Sequence, residues 1–240
     1  MLITQGGARN EHTDRKLAAA LAAVAGAVNG AAFQAVGFFA ANMTGNVSLL
    51  SNRLALGEFS AASFYGEIIA IFVFGAATST LLMNAGYRRD SHTIFALTVL
   101  LEGVFMSLLG FADVLMPGER SLLASVLGSS FLMGWQNAVV TRISGARVRT
   151  THVSGMITDI GIEIALGIEG AMGRIVPDDS ATNAAKLRLH LWTVGAFLLG
   201  GTIGVMLFQR IHGYLYILAA FSLIAMSLAA LHRARREMSA

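Results

Sequence analysis

The chain has 240 residues, 55% of them hydrophobic and 13% charged, with 26 Gly, 2 Pro and no Cys. Soluble domains carry about 25% charged residues, so this composition excludes a water-soluble domain, and it is too apolar for a disordered chain. Without cysteine there is no disulfide, thiolate metal site or cysteine nucleophile. The net charge of +3 comes from Arg clusters set between apolar stretches, which in a membrane protein report orientation rather than a nucleic-acid partner.

In chain order, six stretches offer the roughly 20 mostly apolar residues that a spanning helix needs: 17–36, 60–82, 93–111, 122–140, 189–208 and 214–231. The first is read as a retained span rather than a cleaved signal, because Glu11 and Asp14 mix with the basic residues before it. Pro117 and Pro177 fall between spans, where a missing N–H is harmless. Small residues recur one turn apart, as Gly26 with Gly30 and Gly200 with Gly204. Such steps let membrane helices pack closely, within the chain or at a homo-oligomer seam. Trp192, Tyr214 and Tyr216 fall near span ends and fit an interfacial aromatic belt.

Two further stretches, 38–50 and 147–167, are too polar for ordinary spans and too apolar for ordinary loops. Each reads as an extended lead-in and then a helix start, with Asn42 and Thr44 in one, and Thr151, His152 and Ser154 in the other, ahead of apolar positions. Charge separates the two ways of threading them. If both are re-entrant, 14 of the 17 basic residues share the face that carries the termini, leaving Arg53, Arg120 and Arg210 opposite. If both cross, the split falls to 11 against 6, so the positive-inside rule favours re-entrance and cytoplasmic termini.

An internal repeat agrees. Asn42-Met-Thr-Gly45 lies over His152-Val-Ser-Gly155 at an offset of 110 residues, and Asn29 lies over Asn137 at an offset of 108. With three spans and one half-helix per unit, the second unit is inserted upside down, an arrangement whose broken helices meet near the bilayer midplane. The expected fold is therefore an all-α polytopic membrane protein, with six transmembrane helices plus two re-entrant half-helices in a 3+3 inverted-topology repeat. It forms one membrane domain: a 1–16 N-terminal segment, repeats over 17–112 and 121–231, and a basic 232–240 tail.

The stretches Asn42-Met-Thr-Gly-Asn46, Gly134-Trp-Gln-Asn137 and Val148-Arg-Thr-Thr-His-Val-Ser-Gly155 resemble the YoaK-like family of bacterial inner-membrane proteins. The resemblance covers roughly residues 17–231 and implies a polytopic inner-membrane protein of uncharacterised chemistry. Members of that family often carry an acid in the first helix where this chain has Asn29, so a role needing a carboxylate there does not transfer.

A half-helix starting at mid-depth aims unsatisfied N–H groups and a partial positive charge at its surroundings. Two such ends converging favour an anion or a strongly polar solute. The expected binding residues are Asn29, Asn42, Thr44, Gly45, Asn46, Asn137, Arg149, His152, Ser154 and Gly155. The structural alternative is that these groups cap each other, with Arg149 an ordinary positive-inside residue. Intramembrane carboxylates mark proton relays, which singles out Glu102, Asp159 and Glu67 for proton coupling; Glu163 shares a helix face with Asp159. No histidine spacing suits a metal, and no phosphate loop or nucleophile elbow appears. The expectation is a non-enzymatic protein without cofactor or metal, embedded in lipid: a small secondary transporter. A passive aquaporin-like channel or a non-transporting scaffold are the alternatives.

Overall fold

The computed structural model describes residues 2–3, 10–89, 91–116, 118–174 and 180–239; Arg9, Pro117 and Pro177 lie outside them. Among these residues there are eight helices and no strand. They are α1 (Glu11–Val36), α2 (Met43–Ala55), α3 (Phe59–Tyr87), α4 (Ile94–Leu115), α5 (Glu119–Ser144), α6 (Val153–Ala171), α7 (Ser180–Ile211) and α8 (Tyr214–Ser239). Five are long and apolar enough to cross a membrane: α1, α3, α4, α7 and α8. The chain is thus a multi-pass membrane protein by the length and composition of its helices. Helix α5, expected as a sixth span, has 26 residues but carries buried Ser129, Ser130, Gln136 and Asn137, which lower its hydropathy.

The short elements fall at the two polar stretches, 38–50 and 147–167. Helix α2 has 13 residues and α6 has 19, against 22 to 32 in the others. Both follow a chain reversal. After α1, Gly37 takes a left-handed conformation (φ 75°) that closes the helix, and the chain doubles back until the Ala41 N–H donates to Asn29 Oδ1 at 2.8 Å. After α5, Gly145 does the same (φ 61°), and Thr151 Oγ1 donates to Asn137 Oδ1, also at 2.8 Å. Each Asn lies seven residues before the end of its helix. At about 1.5 Å per residue, both short helices therefore begin roughly 10 Å inside the ends of the long ones.

Glycine seams set how the long helices pack. A Cβ on Gly26 of α1 would lie 2.1 Å from the Phe197 carbonyl oxygen of α7, and one on Gly200 would lie 2.1 Å from that of Ala23. In α3 and α5, a Cβ on Gly134 would lie 1.9 Å from the Phe72 oxygen, and one on Gly75 would lie 2.1 Å from that of Phe131. Only hydrogen fits at these four points, so backbone meets backbone.

The same helices run parallel in each pair. Gly30 sits against Val205 four residues beyond the Gly26–Gly201 contact, and Ser79 Oγ donates to the Trp135 oxygen beyond the Gly75–Phe131 contact. Helix α4 runs antiparallel to α8, with Gly103 against Ile224 and Gly110 against Ile217. Helix α2 packs on α3 and α6 on α7.

Ion pairs mark one end of the molecule and a cavity the other. At one end, Arg147 Nε bonds Asp14 at 3.0 Å and Arg188 approaches Glu11 at 3.9 Å, joining the start of α1 to the end of α5 and the first part of α7. At the other, Gln34, Asp113, Gly118 and Arg210 line one cavity of about 790 Å³, joining the ends of α1, α4 and α7 to the start of α5. Tyr216 departs from the aromatic-belt expectation. It is fully buried, packed edge-on to Phe208, whereas Trp192 and Tyr214 are exposed.

Candidate functional site

The starts of the two short helices line one cavity of about 440 Å³. From the first half come Asn29, Phe39, Asn42 and Thr44, and from the second Arg149, Thr151, His152, Ser154 and Gly155, with Phe72 and Phe197 from the long helices. Of the ten expected binding residues, seven are thus brought together.

The other three support the cavity from behind. Asn46 is 2% exposed, and its Nδ2 donates to the Phe39 carbonyl at 3.0 Å, which holds the extended lead-in to α2. Asn137 is also buried; it accepts from Thr151 and donates through Nδ2 to the Met133 carbonyl at 2.7 Å. Gly45 has a local reason to be glycine, since a Cβ there would lie 2.4 Å from the Asn42 amide. That amide must fold over the helix start, because Asn42 Oδ1 accepts from the Gly45 N–H at 3.1 Å. Gly155 has no such neighbour within 4 Å of a Cβ, so its backbone borders open space.

The two helix starts differ electrically. Asn42 is an N-cap of the favoured kind. His152 occupies the N-cap of α6 but makes no side-chain capping bond. The first N–H groups of α6 are therefore left to whatever fills the cavity, with Arg149 beside them. Positive charge and open donors accumulate on the second half.

The expected proton-coupling residues separate. Glu102 is fully buried on α4 beside Gln136 of α5, yet neither carboxylate oxygen, and neither amide atom of Gln136, reaches a hydrogen-bond partner. Glu67 is exposed on α3. Asp159 alone reaches the neighbourhood of the site, lining a second cavity of about 360 Å³ that shares Arg149, His152 and Gly155 with the first. Glu163, read as a neighbour of Asp159, instead pairs with His190 Nδ1 at 2.9 Å. In the first half, Arg53 at the end of α2 bonds Glu58, and that carboxylate holds its guanidinium above the ordinary range.

Phe72 and Phe197 are not among the residues that the sequence singles out. A signal was there: Phe72-Val-Phe-Gly75 in α3 and Phe197-Leu-Leu-Gly200 in α7 share the Phe-x-x-Gly pattern, with the glycine in a seam and the aromatic one turn earlier at the cavity.

Residues 17–229 match the family described as Protein of unknown function (DUF1275). The chain belongs to the DUF1275 family. The matched span of this DUF1275 protein contains both short helices and every residue that lines the cavity between them. No curated protein and no solved structure matches it. Among the described residues no cluster of three or more His, Asp or Glu could hold a metal ion.

Proposed function

We infer that this DUF1275 protein is a small secondary transporter, which binds an anionic or strongly polar solute where the two short helices meet. The observation that carries this reading is the 440 Å³ cavity, bordered by an uncapped helix start and Arg149 and lined also by Phe72 and Phe197. Open backbone donors at a helix start suit an anion, and a polar cavity between helices is where such sites are built.

The transporter architecture in this reading is six spans with α2 and α6 re-entrant, in a 3+3 inverted repeat. Helix directions support it. With α1 and α7 parallel, α3 and α5 parallel, and α4 antiparallel to α8, each short helix starts inside and returns to the end its predecessor reached. Matched contacts support the repeat. Gly26–Phe197 maps onto Gly134–Phe72, and Ala23–Gly200 onto Phe131–Gly75, with offsets of 108 and 125 residues. The Asn29–Ala41 bond likewise maps onto Asn137–Thr151.

The membrane is the bacterial inner membrane and the termini are cytoplasmic, on the positive-inside argument; the YoaK-like label rests on the motifs. In this reading the protein is not an enzyme, uses no cofactor and binds no nucleic acid, and a homo-oligomer is compatible with its exposed apolar helix faces. A coupled proton is assigned to Asp159, which borders the site, ahead of the sealed Glu102 and the outlying Glu67.

The test is uptake by proteoliposomes of the purified protein, screened with small organic and inorganic anions under a pH gradient. Saturable uptake that responds to the gradient, and that Arg149→Gln reduces at least tenfold, is expected. Flux that never saturates and ignores Asp159→Asn would make it a passive channel, and no flux of any anion or polar solute would reject transport.

A further inference from the structure

The central cavity does not end at the starts of the short helices. Three further cavities continue from it along α6, each sharing lining residues with the one before. The first, of about 360 Å³, takes over Arg149, His152 and Gly155 from the central cavity and adds Asp159 and His190. The next, of about 260 Å³, shares Asp159 and His190 and adds Glu163 and Lys186. The last, of about 830 Å³, shares Glu163 and Asn183 and reaches Arg174 beyond the end of α6.

The spacing explains why these residues share a groove. His152, Gly155, Asp159 and Glu163 recur every three or four residues, so they form one stripe of α6. Asn183, Lys186 and His190 form the facing stripe of α7. Away from this stripe Ile157 is about half exposed, a surface suited to lipid, while Ile164 and Ile168 edge the outermost cavity. One face of the helix is thus polar and the other apolar, although the whole helix lies beside a bundle of apolar spans.

The matched groove in the first half is different. The 110-residue offset puts Phe39 at the place of Arg149, Leu49 at that of Asp159 and Arg53 at that of Glu163; the 125-residue offset puts Tyr65 at that of His190. Arg53 is tied to Glu58, and Tyr65 is buried.

We propose that the α6–α7 groove is the aqueous access route to the central cavity, that it serves small anions, and that it opens at the end of the molecule carrying the termini. Arg149 at its inner end and Lys186 and Arg174 farther out provide cationic stepping points. The Glu163–His190 pair, with Asn183 Nδ2 donating to the Glu163 carbonyl at 2.8 Å, stands between the inner and outer cavities as the constriction. The groups facing this pair are Asp159 on α6 and Lys186 on α7. The first-half groove, with Leu49 at the place of Asp159 and Arg53 tied to Glu58, lacks these stepping points. This assignment deepens the transporter reading and rests on it for the identity of the cargo.

The cysteine-free chain makes the test direct. Single cysteines replace Asp159, Gly167 or Leu49, each variant being checked for a monodisperse elution profile in detergent. Oriented membrane vesicles are then treated with the anionic reagent sulfonatoethyl methanethiosulfonate from one side at a time. Asp159→Cys and Gly167→Cys are expected to react from the terminus-bearing side only, and Leu49→Cys at least tenfold more slowly from either side. Adding Glu163→Gln to a Ser154→Cys variant is expected to speed its modification several-fold. Unreactive Asp159→Cys and Gly167→Cys, reaction from the opposite side, or equal rates at Asp159→Cys and Leu49→Cys would overturn the route. Labelling as expected in a protein that transports nothing would reject the transporter reading while leaving the route; uptake without labelling would do the reverse.

Discussion

The lead-ins to α2 and α6 hold matched positions, yet Phe39 stands in the first where Arg149 stands in the second, and Leu49 where Asp159 does. The buried side of the comparison is conservative in shape. Asn46 and Met156 are 2% and 4% exposed at equivalent places, Asn29 and Asn137 each accept one bond from a lead-in, and the two tightest glycine contacts of each seam coincide. The side toward the cavity is not conservative. One helix start is capped by Asn42 and bordered by neutral groups, whereas the other is uncapped and bordered by Arg149 and His152. Packing constrains the two halves alike because both must bury the same backbone crossings. A ligand need engage only one of them strongly, so polarity is free to diverge.

The largest effects are expected at the seams. Gly134→Ala places a methyl group 1.9 Å from the Phe72 carbonyl oxygen, and Gly26→Ala does the matching damage to α1 and α7. Overpacking of this kind costs about 1–3 kcal/mol. Thermal unfolding in detergent should show both variants destabilised by similar amounts, and a loss confined to one would mean that the seams are not equivalent. Next in size is Arg149→Gln, expected to lower uptake at least tenfold, or about 1.4 kcal/mol, while Phe39→Leu lowers it less than threefold. Equal losses would remove the electrical difference between the halves.

A smaller contrast concerns the caps. Asn42→Ala loses the bond to the Gly45 N–H, and such losses cost about 1 kcal/mol. His152→Ala loses no capping bond, and its unfolding midpoint should stay within a degree or two of the wild type. The smallest effect is expected at Gly155→Ala, since nothing lies within 4 Å of the added carbon. Its stability should be unchanged, and any change in the concentration that half-saturates uptake then reports the cavity itself.

The sequence made the sites of the short helices legible because polarity interrupts hydropathy there. Asn42 and His152, among the five polar residues singled out ahead of the apolar positions, occupy the N-cap positions of α2 and α6, and only Asn42 makes a capping bond. The 108-residue and 110-residue offsets were visible because Asn29, Asn137 and the four-residue matches are polar in an apolar background. The longer offset linking Phe72 to Phe197 was hidden, since apolar residues on apolar helices carry no contrast. Seven of the expected binding residues meet at the cavity, but sequence could not separate Asn46, Asn137 and Gly45 from them. Polar residues that hold backbone and polar residues that meet a solute have the same composition; the fold separates them, placing Asn46 and Asn137 on Phe39, Met133 and Thr151 and leaving them outside the cavity lining. The partner of Glu163 was equally out of reach, because His190 is 27 residues away along the chain and meets it only once α6 lies on α7.

If the solute is held between the starts of α2 and α6, joining those starts must stop transport. A Thr44→Cys, Ser154→Cys double variant of the cysteine-free chain is treated with a short bis-methanethiosulfonate, and anion uptake is measured before and after. The expected result is an intramolecular cross-link that abolishes uptake, is slowed by the transported anion and is reversed by reducing agent. Uptake that continues unchanged through a fully cross-linked population would contradict it.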